Sequence, residues 1–171
     1  MHDRENMENI VLIGMPGCGK STVGVLLAKT LGYGFLDTDL LLQQAAGKKL
    51  YEIIRDDGME AFLRLENETV AALPEMDKMV IATGGSVVLG EEAMARLAAL
   101  GSIVYLQLPL GEIKRRISDI RTRGIAMGPG EGLEDVYARR TPLYARYADI
   151  TIPADGLSLE EVVEEISRFL A

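Results

Sequence analysis

An α/β fold built on a parallel sheet is predicted by three observations. Short apolar runs that suit buried strands alternate with segments of helical periodicity along the chain. The first of these runs, Asn9–Ile13 (NIVLI), leads straight into the glycine-rich stretch GMPGCGKST and then into an amphipathic helix. No repeat or low-complexity linker divides the 171 residues, a length that suits one domain, residues 1–171, with its own core.

Each element has a local reason. NIVLI is a short run that is apolar from Ile10 to Ile13, as suits a strand buried on both faces. Lys20–Leu31 carries Val23, Leu26, Leu27 and Leu31 at helical spacing, and Gly32 ends it as a left-handed cap would. Phe35–Asp37 is a second, shorter strand, and Leu40–Ala46, Leu50–Asp56 and Glu60–Leu73 read as helices separated by Gly47 and Gly58. Met79–Ala82 is strand-like, Glu91–Leu100 helical and Ser102–Leu106 again strand-like, and a helix begins over Glu112–Asp119.

The pattern then fails. Residues 121–132, RTRGIAMGPGEG, hold four glycines and one proline and have little to bury. With the end of the preceding helix they read as a flexible lid over about residues 119–132. A helix returns at Leu133–Tyr147, a strand at Asp149–Ile152 and a last helix at Leu159–Leu170, where Ser158 and Glu161 form a capping box.

Composition excludes several classes. Asp and Glu number 26 against 18 Lys and Arg, a formal net charge of −8, which disfavours a general nucleic-acid binder. The single cysteine, Cys18, cannot close an internal disulfide and points to a reducing, cytoplasmic setting. The N-terminal MHDRENMEN lacks the apolar core of a signal peptide, and no run has the length of a membrane span. A cytoplasmic monomer with no nucleic-acid or membrane partner is expected.

GMPGCGKST fits G-x-x-x-x-G-K-[ST] in the right setting, between a strand and a helix. Gly14, Gly17 and Gly19 let backbone N–H groups turn around phosphate oxygens, with Cys18 and Thr22 in the same loop and helix start. Lys20 would reach the β- and γ-phosphates and Ser21 would ligate Mg²⁺. Cys18 reads as a small loop residue, with a redox role at the helix N-terminus as the alternative. No N-K-x-D guanine reader occurs, so ATP is the expected nucleotide.

The second strand ends in LDTDL, where Asp37 and Asp39, two apart, would share a strand face at the ligand-binding edge of the sheet. One carboxylate could hold a metal-bound water and the other could meet an acceptor hydroxyl. The alternative for Asp39 is a cap on the helix starting at Leu40.

GMPGCGKST, LDTD (36–39), DGMEAFLRLE (57–66), ATGG (82–85) and RRTPLY (139–144) together resemble the shikimate kinase family, in order and spacing over nearly the whole chain. The resemblance implies a single-domain, five-stranded parallel sheet flanked by helices. It also implies ATP- and Mg²⁺-dependent transfer of the γ-phosphate to a small-molecule hydroxyl, with shikimate the leading acceptor. By position, Lys20 and Ser21 serve ATP and magnesium, and Asp37 holds a magnesium-bound water. Asp39 binds the acceptor hydroxyl and is the candidate base, and Gly84 and Gly85 bring backbone close to the acceptor. Arg123 comes from the lid to the transferring phosphate, Arg116 lies near adenine, and Arg140 pairs with the acceptor carboxylate. Arg116 could instead belong to a solvated basic face with Lys114 and Arg115.

The chain departs from the family pattern at three places. Leu63 stands where the family usually has a second carboxylate-gripping arginine, Ser86 where it has a third glycine, and Gly124 where it has a proline. On a helical wheel Phe62, Leu65, Thr69, Ala72 and Leu73 share a face, flanked by Leu63 and Val70. Arg64 falls opposite, between Glu60 and Glu68, and so should face water. Glu66 lies in the apolar face and needs a partner, for which Arg140 is the expected residue. Leu63 leaves open a different polyol or hydroxy acid as acceptor; a further alternative is a nucleotide sensor that does not transfer phosphate, against which Lys20, Ser21, Asp37, Asp39 and Arg123 argue.

Overall fold

The structure is a computed structural model that describes residues 8–117 and 125–170. Its centre is a parallel sheet of β1 (Asn9–Ile13), β2 (Gly34–Asp37), β3 (Met79–Ala82), β4 (Gly101–Gln107) and β5 (Ile150–Pro153), in the order β2-β3-β1-β4-β5. All five residues of β1 are buried, as suits a central strand covered on both faces. The chain order reverses at β1, so the crevice beyond its C-terminal end is the place where ligands bind in such sheets.

The flanking helices are α1 (Lys20–Leu31), α2 (Thr38–Ala46), α3 (Leu50–Asp57), α4 (Met59–Ala71), α5 (Glu91–Leu100), α6 (Leu110–Arg116), α7 (Leu133–Tyr147) and α8 (Leu159–Leu170), with a short 3₁₀ turn at Val87–Leu89. Gly32 caps α1 in the left-handed conformation at φ 72°, and the Ser158–Glu161 capping box forms at the start of α8. A second, smaller apolar cluster of Leu42, Ile53, Phe62 and Ala126 joins α2, α3 and α4 to the segment before α7.

Three local expectations are corrected. Helix α2 begins at Thr38 rather than Leu40, because Asp37 is its N-cap and its Oδ1 accepts from the Asp39 N–H at 2.9 Å. Asp39 therefore neither shares a strand face with Asp37 nor caps the helix; it sits in the first turn. In α4 the buried line is Phe62, Glu66 and Val70, while Leu65 and Thr69 are half-buried and Ala72 is exposed. The helix has turned relative to the wheel because α5 covers one side of it and α2 and α3 the other. Finally, Ile125 and Ala126, read as part of a lid with little to bury, are buried, and Ala126 belongs to the smaller cluster. Residues 118–124 of the expected lid, and with them the end of the helix expected to reach Asp119, lie outside the described residues.

Candidate active site

The loop between β1 and α1 owes its shape to glycine. Gly14, Gly17 and Gly19 have φ of 150°, 81° and 93°, a region that residues with a Cβ rarely enter. Gly19 is the N-cap of α1, so the helix N-terminus opens onto the loop. Lys20 is buried, and its Nζ donates to the carbonyls of Gly14 at 2.6 Å and Met15 at 2.8 Å. The ammonium is thus stored inside the loop it serves. Cys18 is buried and free, with its Sγ 3.7 Å from the same ammonium.

Beside it the Ser21 hydroxyl donates to Asp37 Oδ2 at 3.1 Å, joining the first turn of α1 to the end of β2. These are two oxygen donors of the kind a hard divalent cation takes. Arg116, on α6, pairs with Glu112 at 3.0 Å, and its guanidinium reaches toward Gly19, where a Cβ would lie 3.9 Å from Nη1. Thr22 lines the same cavity as Lys20. Arg123 lies outside the described residues.

A cavity of about 260 Å³ runs from the phosphate loop to Lys20, Asp39, Gly84, Gly85, Ser86 and Arg140. Gly84 is its narrowest constraint. A Cβ there would stand 2.6 Å from Asp39 Oδ1 and 2.8 Å from Glu66 Oε2, so only glycine lets both carboxylates approach this backbone. Gly85 is pressed on Pro16 of the phosphate loop, where a Cβ would lie 2.6 Å from the ring. The Gly85 carbonyl accepts from the Tyr144 hydroxyl at 2.5 Å.

Burial, with the neighbouring Asp37 charge, pushes Asp39 up to about 6, against the pull of Lys20. Burial also pushes Glu66 up to about 7; Asp39 adds to the rise, and Ser86, Arg140 and Lys20 oppose it. Burial lowers the pKa of Arg140, whose side chain is 1% exposed. Its Nη2 donates to the carbonyl of Ala126, while its Nε has no partner among the described residues.

The expected Glu66–Arg140 contact is therefore corrected. Glu66 Oε1 accepts from the Ser86 hydroxyl at 2.6 Å, and Oε2 has no partner among the described residues. Arg140 is drawn to Ala126 instead. Leu63 does not line the central cavity. It faces a second cavity, of about 390 Å³, which Glu66 also lines and which shares Ser86 with the first. Arg64 is exposed, as its place opposite the apolar face requires. The roles of Ser86 toward Glu66 and of Tyr144 toward Gly85 escaped the sequence reading. The first had a signal: a carboxylate inside an apolar face demands a donor, and a serine stands where the related pattern has glycine.

A family model described as Shikimate kinase matches residues 16–171. The chain is 39% identical over 164 residues to the shikimate kinase of Thermodesulfovibrio yellowstonii, covering 95% of this chain and 94% of that one. It is 40% identical over 162 residues to that of Salinispora arenicola, covering 94% and 96%. Among solved structures, shikimate kinase from Acinetobacter baumannii in complex with shikimate superposes with a TM-score of 0.87 at 29% identity, over 97% of this chain and 94% of that one. The enzyme from Aquifex aeolicus gives 0.81 at 33% identity, over 95% of each. Sequence and fold agree over nearly the whole chain, and the chain belongs to the shikimate kinase family of ATP-using phosphotransferases.

Proposed function

We propose that this chain transfers the γ-phosphate of ATP to a hydroxyl of shikimate, giving shikimate 3-phosphate. The observation that carries the reading is the approach of Asp39 to Gly84 inside one cavity that also holds Lys20 and Arg140. An acceptor hydroxyl at Asp39 lies on the path from the phosphate loop. Its oxygen forms the new bond to phosphorus as the bridge to the β-phosphate breaks, and its proton passes to Asp39. A carboxylate raised to about 6 is a stronger base than an ordinary one and is still mostly ionised at neutral pH. Lys20 leaves the Gly14 and Met15 carbonyls for the phosphates, where charge builds in transfer.

Ser21 and Asp37 would hold Mg²⁺, and their paired oxygens fit a cation that keeps several waters. When bound it neutralises charge on the phosphates. Arg116 serves the adenine side and Arg123, by resemblance, the transferring phosphate. Gly84 and Gly85 admit the acceptor, and the Nε of Arg140, unpartnered among the described residues, receives its carboxylate. A lone free thiol fits a reducing, cytoplasmic setting.

Leu63 favours one further reading, an acceptor with less need of a second carboxylate clamp. An ADP-release assay with ATP and Mg²⁺ over a panel of polyols and hydroxy acids tests both. Shikimate is expected to give the highest kcat/KM. A panel member exceeding it by about tenfold or more would favour the second reading.

A further inference from the structure

Ser86 lines both cavities, and Glu66 stands beside it in the second. Ser86 is 5% exposed and Glu66 2% exposed; the Ser86 hydroxyl donates to Glu66 Oε1 at 2.6 Å, and among the described residues Glu66 Oε2 has no hydrogen-bond partner. An unpartnered carboxyl oxygen in such a place is costly unless something meets it. Oε2 lies against Gly84, which lines the central cavity: a Cβ there would be 2.8 Å from Oε2. Ser86 itself follows the Gly84–Gly85 pair and opens the 3₁₀ turn Val87–Leu89, so its hydroxyl is placed by rigid backbone.

We propose that Ser86 is a positioning residue for acceptor binding: by donating to Glu66 Oε1 it locks the carboxyl with Oε2 turned past Gly84, where it accepts a hydrogen bond from an acceptor hydroxyl other than the one that is phosphorylated. This deepens the reading of the central cavity as the acceptor site and rests on it. The ligand class it selects has at least two hydroxyls and an anionic group, one hydroxyl for Asp39, a second for Glu66 and the anion for Arg140. The ionised form of Glu66 is the one that accepts. Its charge is opposed by Asp39 across Gly84 and supported by Arg140 from α7, Lys20 from α1 and the Ser86 hydroxyl; on the far side the second cavity brings Arg64, Glu91 and Glu92.

The test compares Ser86→Ala, Ser86→Gly and Ser86→Thr in steady-state assays with shikimate across pH. Removing the hydroxyl should raise KM for shikimate about tenfold while kcat and KM for ATP stay within about twofold. The acid limb of kcat/KM should move to higher pH in Ser86→Ala and Ser86→Gly, because the donor that favours the carboxylate has gone. Ser86→Thr should restore both. In a Glu66→Gln background Ser86→Ala should have no further effect on the pH profile. Wild-type KM and limb in both hydroxyl-free variants, or an equal KM rise in Ser86→Thr, overturns the inference while the kinase reading stands. If Ser86→Ala does not fold, Ser86→Gly decides, since it adds no bulk. Wild-type enzyme that turns over no panel member would instead sink the kinase reading itself.

Discussion

The Tyr144 hydroxyl donates to the Gly85 carbonyl at 2.5 Å, tying α7 to the loop after β3. Arg140 stands one helical turn earlier on the same helix, so the residue proposed to meet the acceptor and the residue that pins the loop after β3 share one helix. Gly85 in turn rests on Pro16, which extends the tie to the phosphate loop. Burial holds the Tyr144 phenol well above its ordinary pKa, so it remains a neutral donor.

Tyr144→Phe keeps the ring against Tyr105 and removes only the donor. Losing a hydrogen bond to this half-buried carbonyl costs about 1 kcal/mol, which denaturant unfolding would register. KM for the acceptor should rise more than KM for ATP. Equal stability and unchanged KM would show that the bond does not position the loop.

Gly84→Ala should abolish transfer by steric exclusion. The new methyl would lie inside the contact distance of two carboxylate oxygens on different helices. Either Asp39 or Glu66 must turn away, and turnover should drop about 10²-fold or more, since misplacement near the chemistry is that expensive. Circular dichroism and thermal melting separate this from unfolding. Activity within a few-fold of wild type would show that neither carboxylate needs its present place.

The ligand-free protein should lose stability as pH rises from about 4 to about 7. Asp39 and Glu66 have pKa values pushed up in the folded state, to about 6 and about 7. Their neutral forms are therefore the ones that folding favours. That stabilisation is full below the unfolded values near 4 and is lost as pH climbs through the folded ones, a change on the order of a few kcal/mol for the two together. Asp39→Asn and Glu66→Gln should each flatten the slope. Unfolding curves collected from pH 4 to pH 8 decide it, and an opposite slope that the variants leave alone would mean the carboxyls are not desolvated.

The sheet, its helices and the phosphate loop were legible because each announces itself locally. NIVLI is a buried strand by composition, and the glycines of the loop are needed for backbone angles that their spacing already implies. Arg64 was legible too, since periodicity alone sends it to water. What failed to show was tertiary. Asp37 captured the cap of α2 through its own side chain, a competition between two aspartates that spacing cannot settle. The Glu66 partner depended on which of Ser86 and Arg140 lay nearer, and Ala126 had taken the arginine. Leu63 was expected at the acceptor and faces the neighbouring cavity, because α4 is rotated by what packs on its two sides.

That rotation sharpens the last prediction. Leu63 is half-buried on the fringe of the smaller apolar cluster and looks into the second cavity beside Glu66. In Leu63→Arg a guanidinium would enter that cavity, meet the Glu66 carboxyl and hold it ionised. If it also reaches past Glu66 and Ser86, a carboxylate on the acceptor gains a second bidentate partner, and kcat/KM for shikimate should rise about tenfold. If they block it, the same variant should show a lower acid limit for activity and no gain at neutral pH, since only Glu66 would feel the new charge. Arg64→Leu, one residue along but in water, should change kcat/KM less than about twofold. Leu63→Met, which keeps the volume without the charge, controls for repacking. A Leu63→Arg enzyme identical to wild type at every pH would mean that neither Glu66 nor the acceptor senses this side of the helix, and the second cavity would have no part in catalysis.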